Sequence, residues 1–288
     1  MRGMTDDTIV PMLAERLARA GAAPTVVRSR TLRSTGISES MLADRVAAIA
    51  AGFDGIALAY LPGPEGVDLR LTVRDLPAPE ADARLAAAAA RLGAEVGEFL
   101  YGEDDADLAA AILDACRATG RTIAVAESCT GGLLGARLTS IPGSSDVVLG
   151  GIIAYANAVK VALADVDAAL LAAHGAVSEP VARALATGAR ARTGARVGLG
   201  ITGVAGPGGG TPDKPIGTVW IAADVDGVTE ARRLGLVGDR EEIRRRATQA
   251  VLDLLRRQLA LLDRSRDSSD AADPAAERGM PVAHPGRG

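Results

Sequence analysis

The sequence is poor in the side chain that most often moves protons in enzymes. Its 288 residues include two histidines. His174 precedes a glycine at the predicted end of a helix, and His284 lies in a polar, proline-bearing segment. Because a Ser-His-Asp triad needs a histidine as its base, the sequence argues against an ordinary triad. Lysine is equally scarce, since all basic residues other than Lys160 and Lys214 are arginine.

Cysteine and aromatic residues are also rare, and each scarcity excludes a class of protein. Two cysteines, Cys116 and Cys129, argue against a disulfide framework or a thiolate zinc site and suit a reducing environment. No histidine pair or acidic cluster supports another metal site, so neither a metal nor a cofactor is expected. Aromatic residues make up 2% of the chain and the net charge is -4. A nucleic-acid partner is therefore not expected, because base stacking needs aromatic side chains and phosphate binding needs an excess of basic ones.

Long apolar runs are missing as well. No uninterrupted apolar stretch approaches the roughly 20 residues of a membrane-spanning helix. The N-terminal stretch "MRGMTDDTIVPML" lacks the apolar core of a secretory signal. The sequence thus predicts a cytoplasmic protein with no membrane partner.

The remaining pattern divides into two globular stretches with a segment at either end. Residues 1–24 are interpreted as an amphipathic helix (5–22) followed by a linker. Residues 25–102 read as strand, helix, hairpin, helix and short strand, which predicts a small α+β domain. Residues 103–263 alternate strands with helices and then place strands side by side, which predicts a three-layer α/β/α sandwich with a mixed sheet. Residues 264–288 are polar and contain prolines, which predicts a disordered tail.

The segment "AESCTGG" (126–132) joins a predicted buried strand to a predicted helix. One interpretation is a helix cap, in which Ser128 or Thr130 accepts hydrogen bonds from the first amides of the helix. The other is a nucleophile, because amides at a helix N-terminus can hold an oxyanion while a neighbouring serine attacks a carbonyl. The local pattern does not decide between the two.

With histidine excluded, a lysine is the remaining candidate for the base that would activate Ser128. A lysine can act as a base when burial lowers its pKa towards neutrality. Lys160 ends "GGIIAYANAVK", which we interpret as a buried strand ending in polar residues at the carboxyl edge of the sheet, where open α/β sheets bind ligands. A solvated lysine in the first turn of a helix fits the local pattern equally well. Lys214 lies on a proline-rich loop and is interpreted as a surface or ligand-contact residue.

A glycine-rich loop follows another predicted strand, within "GITGVAGPGGGTPDKPIGTVW" (200–220). Its glycines can offer successive amides to a phosphate. The loop is not a Walker motif, because no Gly-Lys-Ser/Thr follows, and no helix follows as in the dinucleotide fingerprint. A flexible connection between strands is the alternative interpretation.

Four segments together resemble the CinA family: "AESCTGGLLGARLTSIPGSS", "GGIIAYANAVK", "HGAVSEPVARA" and "ITGVAGPGGGTPDKPIGTVWIA". They resemble its C-terminal nicotinamide-nucleotide amidohydrolase domain (nicotinamide mononucleotide deamidase), over about residues 103–262. The preceding unit, with "RTLRSTGISES" and "LPGPEGVDLRLTV", resembles the KH-like middle domain of the family. Full-length members begin with a molybdopterin-binding-like domain associated with ADP-ribose pyrophosphatase activity. Only something like its last helix is matched here, at 5–22, so that activity is not expected.

The resemblance implies a reaction and a set of residues. The reaction is hydrolysis of the carboxamide of nicotinamide mononucleotide to nicotinate mononucleotide and ammonia, in pyridine nucleotide salvage. Ser128 corresponds to the nucleophile and Lys160 to the general base, and Tyr155 and Thr202 fall on accompanying catalytic positions. The expected substrate-binding residues are Cys129, Thr130, Gly131, Gly132, Asn157, Gly203, Gly206, Pro207, Gly208, Gly209 and Arg240.

The resemblance also implies a homo-oligomer, which we expect to be a dimer. Two alternative functions stay open at this point. One is a catalytically silent sensor that binds a pyridine nucleotide, and the other is an interaction protein associated with competence or DNA damage.

Overall fold

The computed structural model describes residues 5–19 and 25–270. Within these ranges the chain forms two sheets, each with its own apolar core. A π-helical turn, Thr5–Ile9, leads into α1, Val10–Arg19. The predicted helix over 5–22 is therefore present as far as Arg19, and its last predicted residues lie outside the described ranges.

The first unit is a four-stranded antiparallel sheet with two helices packed on one face. Its elements are β1 (Val26–Ser34), α2 (Glu39–Ala50), β2 (Ile56–Gly63), β3 (Gly66–Leu76), α3 (Ala78–Val96) and β4 (Leu100–Glu103). The strands lie in the order β2-β3-β1-β4. Apolar residues alternate with polar ones along β3, so Leu69, Leu71 and Val73 are buried under the helices. The predicted small α+β unit is confirmed.

The second unit contains a five-stranded mixed sheet in the order β6-β5-β7-β8-β9. Strand β5 is parallel to β6 and β7, whereas β8 is antiparallel to both β7 and β9. The elements are α4 (Leu108–Ala118), β5 (Ile123–Glu127), α5 (Leu133–Thr139), β6 (Val148–Ile153), α6 (Asn157–Ala164), α7 (Ala168–His174), α8 (Glu179–Thr193), β7 (Val197–Gly203), β8 (Thr218–Val225), β9 (Val228–Gly235) and α9 (Arg240–Asp270).

Helices cover both faces of the mixed sheet. The apolar faces of α4, α5 and α9 pack on one side, and those of α6, α7 and α8 pack on the other. Helix α8 lies close to β7 because β7 carries glycine: a Cβ at Gly198 would collide with the carbonyl of Ala186. The predicted three-layer α/β/α sandwich is confirmed.

Three local features differ from the sequence-based expectations. Helix α9 continues to Asp270, so the predicted tail does not begin at residue 264, and the rest of that tail (271–288) lies outside the described ranges. Strand β6 is an edge strand with exposed side chains, Ile153 among them, and is not buried as expected. Helix α6 is present where the sequence offers a helix only as an alternative, and Lys160 lies in its first turn, buried and not solvated.

The parallel strands of the second unit end at a common edge of the sheet. Ser128 follows β5 directly, Thr202 is the penultimate residue of β7, and Tyr155 lies two residues beyond β6. Because the carboxyl ends of parallel strands meet at one edge, these three residues come together although they are far apart in sequence. In the described part of the chain, no helix combines the length and apolar character needed to cross a membrane.

Candidate active site

A cavity of about 280 Å³ opens at the carboxyl edge of the mixed sheet. Its wall contains most of the residues expected from the sequence, namely Ser128, Cys129, Tyr155, Asn157, Lys160, Thr202, Gly203, Gly206, Gly208, Gly209 and Arg240. Four expected residues do not line it: Thr130, Gly131, Gly132 and Pro207. The remaining wall residues, Ala176, Val177, Val204 and Ala205, are apolar positions that no sequence motif marks.

Lys160 is buried in the first turn of α6, with 1% of its surface exposed. It shares the inward face of that helix with Ala164, four residues on, which is the helical repeat that turns a side chain towards the sheet. Its Nζ donates a hydrogen bond to the carbonyl oxygen of Tyr155 at 3.0 Å. No carboxylate in the described ranges forms an ion pair with it. Burial therefore lowers the pKa of Lys160 and favours the neutral amine.

Ser128 lines the cavity directly after the last residue of β5. Its amide donates to the carbonyl oxygen of Ile201 on β7 at 2.9 Å, which fixes the residue immediately after β5. The adjacent thiol does not compete as a nucleophile at neutral pH, because burial raises the pKa of Cys129 to about 11. Ser128 and the buried amine of Lys160 thus line the same cavity.

The helix after Ser128 is capped by a residue that the sequence motifs did not single out. The carboxylate of Glu127, 1% exposed, accepts hydrogen bonds from the amides of Gly132 (3.0 Å), Leu134 (3.0 Å) and Gly135 (2.8 Å). The expectation that Ser128 or Thr130 caps this helix is wrong, since neither side chain accepts such a bond. Glu127 ends an apolar strand four residues before Gly131, and no sequence motif marks it as the cap.

Arg240 lines the cavity and contacts two of its other wall residues. Its guanidinium donates to the carbonyl oxygen of Gly206 at 2.6 Å and to the hydroxyl oxygen of Tyr155 at 3.1 Å. Deeper in, the hydroxyl of Thr202 donates to the carbonyl oxygen of Ala176 at 2.8 Å. The glycine-rich loop and the segment after β6 are therefore joined through one arginine.

Lys214 lies away from this cavity and ties the glycine-rich loop to a helix end. Its Nζ donates to the carbonyl oxygen of His174 at 2.8 Å, and His174 is the last residue of α7, as predicted. The other histidine, His284, lies outside the described residues. Neither the loop lysine nor the helix-end histidine lines the cavity.

The cavity wall within the described ranges carries two basic side chains: Arg240, which is positively charged, and Lys160, whose neutral form burial favours. Such a wall favours an anionic ligand. Within the same ranges, no three histidine, cysteine, aspartate or glutamate side chains gather at distances suited to a metal ion. A serine and a buried amine beside the guanidinium of Arg240 can support attack on the carbonyl carbon of an anionic substrate.

Known protein families match both units of the chain. The CinA C-terminal domain matches residues 105–259, and the KH domain of the damage-inducible protein CinA matches residues 29–102. The first match spans the mixed sheet with its cavity, and the second spans the smaller sheet. The chain belongs to the CinA family.

Individual relatives agree with this assignment. A CinA-like protein from Gemmatimonas aurantiaca is 56% identical over 279 residues, which are 97% of this chain and 63% of that protein. A CinA-like protein from Gloeobacter violaceus is 45% identical over 261 residues, which are 90% of this chain and 60% of that protein. The chain thus spans less than two thirds of the length of these relatives.

Solved structures resemble the second unit. The competence damage-inducible protein A from Klebsiella pneumoniae is 35% identical, with a TM-score of 0.52, and the match covers 53% of this chain and 95% of that one. A competence/damage-inducible protein from Agrobacterium tumefaciens is 37% identical, with a TM-score of 0.50, and the match covers 51% and 91%. The mixed α/β fold of this chain is therefore a CinA fold.

Proposed function

We propose that the chain hydrolyses the carboxamide of nicotinamide mononucleotide to nicotinate mononucleotide and ammonia, a step of pyridine nucleotide salvage. Ser128 is the nucleophile and Lys160 is the general base. The observation that carries the proposal is a buried lysine that pairs with no carboxylate among the described residues and lines the same cavity as a serine. The family resemblance implies the same reaction, which adds support.

The proposed reaction proceeds through an acyl-enzyme. The neutral amine of Lys160 takes the hydroxyl proton as the oxygen of Ser128 attacks the amide carbon. The lysine then gives this proton to the departing nitrogen, and the C–N bond breaks to release ammonia. Water attacks the resulting ester, loses a proton to Lys160, and frees nicotinate mononucleotide together with the hydroxyl of Ser128.

The basic wall of the cavity suits the phosphate of this substrate. Arg240 is the candidate for a charge-assisted contact, and Gly208 and Gly209 can bring backbone amides close to the phosphate without side-chain obstruction. Of the two wall hydroxyls, Thr202 already donates its proton to Ala176, whereas Tyr155 accepts from Arg240 and keeps its own proton available. Tyr155 is therefore the better candidate for a donor to the substrate.

The nucleophile is tested by replacing Ser128 with alanine and measuring ammonia release from nicotinamide mononucleotide in the presence of a chelator. We expect activity to fall by at least about 1000-fold, because the acyl-enzyme cannot form. Ser140→Ala is the matched control, since the hydroxyl of Ser140 donates to the carbonyl oxygen of Arg137 at the end of α5 and does not line the cavity. Equal activity of the Ser128 and Ser140 variants would overturn the assignment.

The base is tested by Lys160→Arg. A guanidinium stays protonated at neutral pH, so we expect almost complete loss of ammonia release although a long basic side chain is retained. The fold of the variant is checked by circular dichroism. A variant with the wild-type rate would remove Lys160 from the mechanism.

The two alternative functions predict different results in the same experiments. A silent sensor binds nicotinamide mononucleotide in calorimetry without releasing ammonia. An interaction protein retains a partner in a pull-down whether or not the nucleotide is present. Either result, with no ammonia released by the wild-type chain, would contradict the proposed hydrolase.

We further propose that the chain forms a homodimer through the edge strand β6. Within the described ranges, β6 pairs with β5 on one side only, and its sequence "VLGGII" carries no charge. The opposite edge of the sheet, β9, carries Glu230, Arg232 and Arg233, the kind of charges that discourage edge-to-edge pairing. A second copy offers an identical uncharged edge, and two such edges can pair about a two-fold axis.

This dimer is tested by light scattering on the whole chain. Ile153→Lys places a charge on the proposed interface, and Val228→Lys places one on the opposite edge at a position of similar exposure (57% and 53%). We expect a dimeric wild type, a monomeric Ile153→Lys variant and a dimeric Val228→Lys variant. A monomeric wild type, or a dimer unaffected by Ile153→Lys, would contradict the proposal.

A further inference from the structure

The turn after the nucleophile leaves two of its amides without an oxygen acceptor. The amide of Gly131 donates to the carbonyl oxygen of Ser128 at 3.1 Å, and the amide of Gly132 donates to Glu127. Among the described residues, no oxygen accepts a hydrogen bond from the amides of Cys129 or Thr130. Cys129 lines the cavity together with Ser128, whereas Thr130 is fully buried and does not line it. The amide of Cys129 is therefore the donor of this pair that lies beside the nucleophile.

Glu127 holds this turn from the side of the sheet. Its carboxylate is buried, yet its partners are three backbone amides in place of a basic side chain. A negative charge at a helix N-terminus is stabilised by the peptide dipoles, so the charge and the first turn of α5 stabilise each other. The last residue of β5 is thereby tied to a helix that begins six residues later.

Arg244 holds the same turn from the side of α9. Its Nε and Nη2 both donate to the carbonyl oxygen of Thr130, at 3.2 and 2.6 Å. This carbonyl and the amide of Gly131 belong to one planar peptide, so the amide points away from α9 and towards the carbonyl of Ser128. Gly131 and Gly132 have φ of 58° and 97°, which lets the chain make this turn without a side-chain penalty.

We propose that Glu127 is a positioning residue, which holds the turn so that the amide of Cys129 serves as an oxyanion donor beside Ser128. Arg244 is its counterpart on the opposite side of the turn. The inference rests on the proposed acyl transfer, because an oxyanion forms only when Ser128 attacks a carbonyl. Preorganised amide donors of this kind lower the barrier without first having to reorient.

The test is the kinetics of Glu127→Gln with nicotinamide mononucleotide. The new amide nitrogen cannot accept a hydrogen bond, so at least one helix amide loses its acceptor. We expect kcat to fall roughly 10- to 100-fold, as a misplaced catalytic group does, with KM within about twofold of wild type. The apparent pKa of the pH–rate profile stays unchanged, because it belongs to the base and not to the turn.

Arg137→Gln is the matched control. Arg137 lies on the same helix, α5, and forms an ion pair with Asp107 at 2.7 Å, away from the cavity wall. We expect this variant to lower Tm and keep the wild-type kcat.

If Glu127→Gln fails to fold, Arg244→Lys loosens the same turn from the other side, with the same kinetic prediction. A wild-type kcat in a folded Glu127→Gln variant, a change confined to KM, or a shifted pH profile would each overturn the proposal.

Hydrogen exchange tests the same contact without any substrate. Glu127→Gln should exchange the amides of Gly132, Leu134 and Gly135 faster than wild type does, whereas Arg137→Gln should not. Unchanged exchange in Glu127→Gln would overturn the proposal even if activity fell. A wild-type chain that releases no ammonia would instead overturn the proposed function, and the exchange result would still decide whether Glu127 holds the turn.

Discussion

At the scale of single residues, the proposed mechanism depends most on the burial of Lys160. Burial makes the amine of Lys160 costly to protonate, so its pKa falls. The same burial that favours the neutral amine, which the proposed mechanism needs as a base, also makes the protonated side chain unfavourable for folding. Function and stability therefore oppose each other at this residue.

This opposition predicts how stability depends on pH. The folded pKa of Lys160 is below the unfolded value of about 10.4, so between the two values the unfolded chain binds more protons and stability rises with pH. Replacing Lys160 with methionine removes this pH dependence. We expect Lys160→Met to have the higher Tm at neutral pH, and the difference from wild type to shrink as the pH approaches 10. A difference independent of pH would contradict the lowered pKa.

At the scale of elements, the close packing of α8 on β7 sets the thickness of one helical layer. Gly198 and Gly200 lie on β7 where a Cβ would meet the backbone of α8. We expect Gly198→Ala to destabilise the chain by about 1–3 kcal/mol, since neither backbone can move without disturbing the sheet. Urea denaturation measures this loss.

Gly235→Ala is the control for that substitution. Gly235 ends β9 with open space where a Cβ would lie, so alanine there should change stability by less than about 0.5 kcal/mol. Equal effects at Gly198 and Gly235 would show that the loss comes from the strand backbone and not from the contact with α8.

Most elements of the fold are predictable because their periodicity is strong. The alternation of apolar and polar residues along β3 is typical of a half-buried strand, and the apolar stripe of α9 is typical of an amphipathic helix. Two elements are less clear from sequence: β6 is apolar although it lies at an edge, and α6 is too short for a distinct period. The meeting of Ser128 and Thr202 at one sheet edge follows from parallel strand order. The cap by Glu127 does not, because nothing local shows that its carboxylate reaches amides five to eight residues ahead.

At the scale of the whole molecule, α9 joins the two units. Arg257 lies over the ring of Phe99, 4.9 Å from its centroid, and forms ion pairs with Asp253 on its own helix and with Glu98 of the first unit. The neighbouring Arg256 donates to the carbonyl oxygen of Leu100 at 3.3 Å. The helix that packs on the mixed sheet therefore also anchors the last strand of the smaller sheet.

This anchoring predicts the cooperativity of unfolding. We expect Arg257→Ala to destabilise the first unit by roughly 1–2 kcal/mol, through loss of the ring contact and a hydrogen-bonded ion pair. Trp220, the single tryptophan, lies on β8 and reports only on the second unit. In the variant, circular dichroism should change at lower urea than tryptophan fluorescence, whereas in wild type the two should coincide. Arg264→Ala, which loses a bond within α9 alone, should leave the transitions together.

The pH dependence of kcat/KM for nicotinamide mononucleotide tests most directly whether a neutral, buried lysine activates Ser128. We predict a rate that rises with pH through an apparent pKa below the ordinary value of lysine, about 10.4, and that is lost in Lys160→Arg. A rate that rises only near that ordinary value, or a Lys160→Arg variant with the wild-type profile, would contradict it.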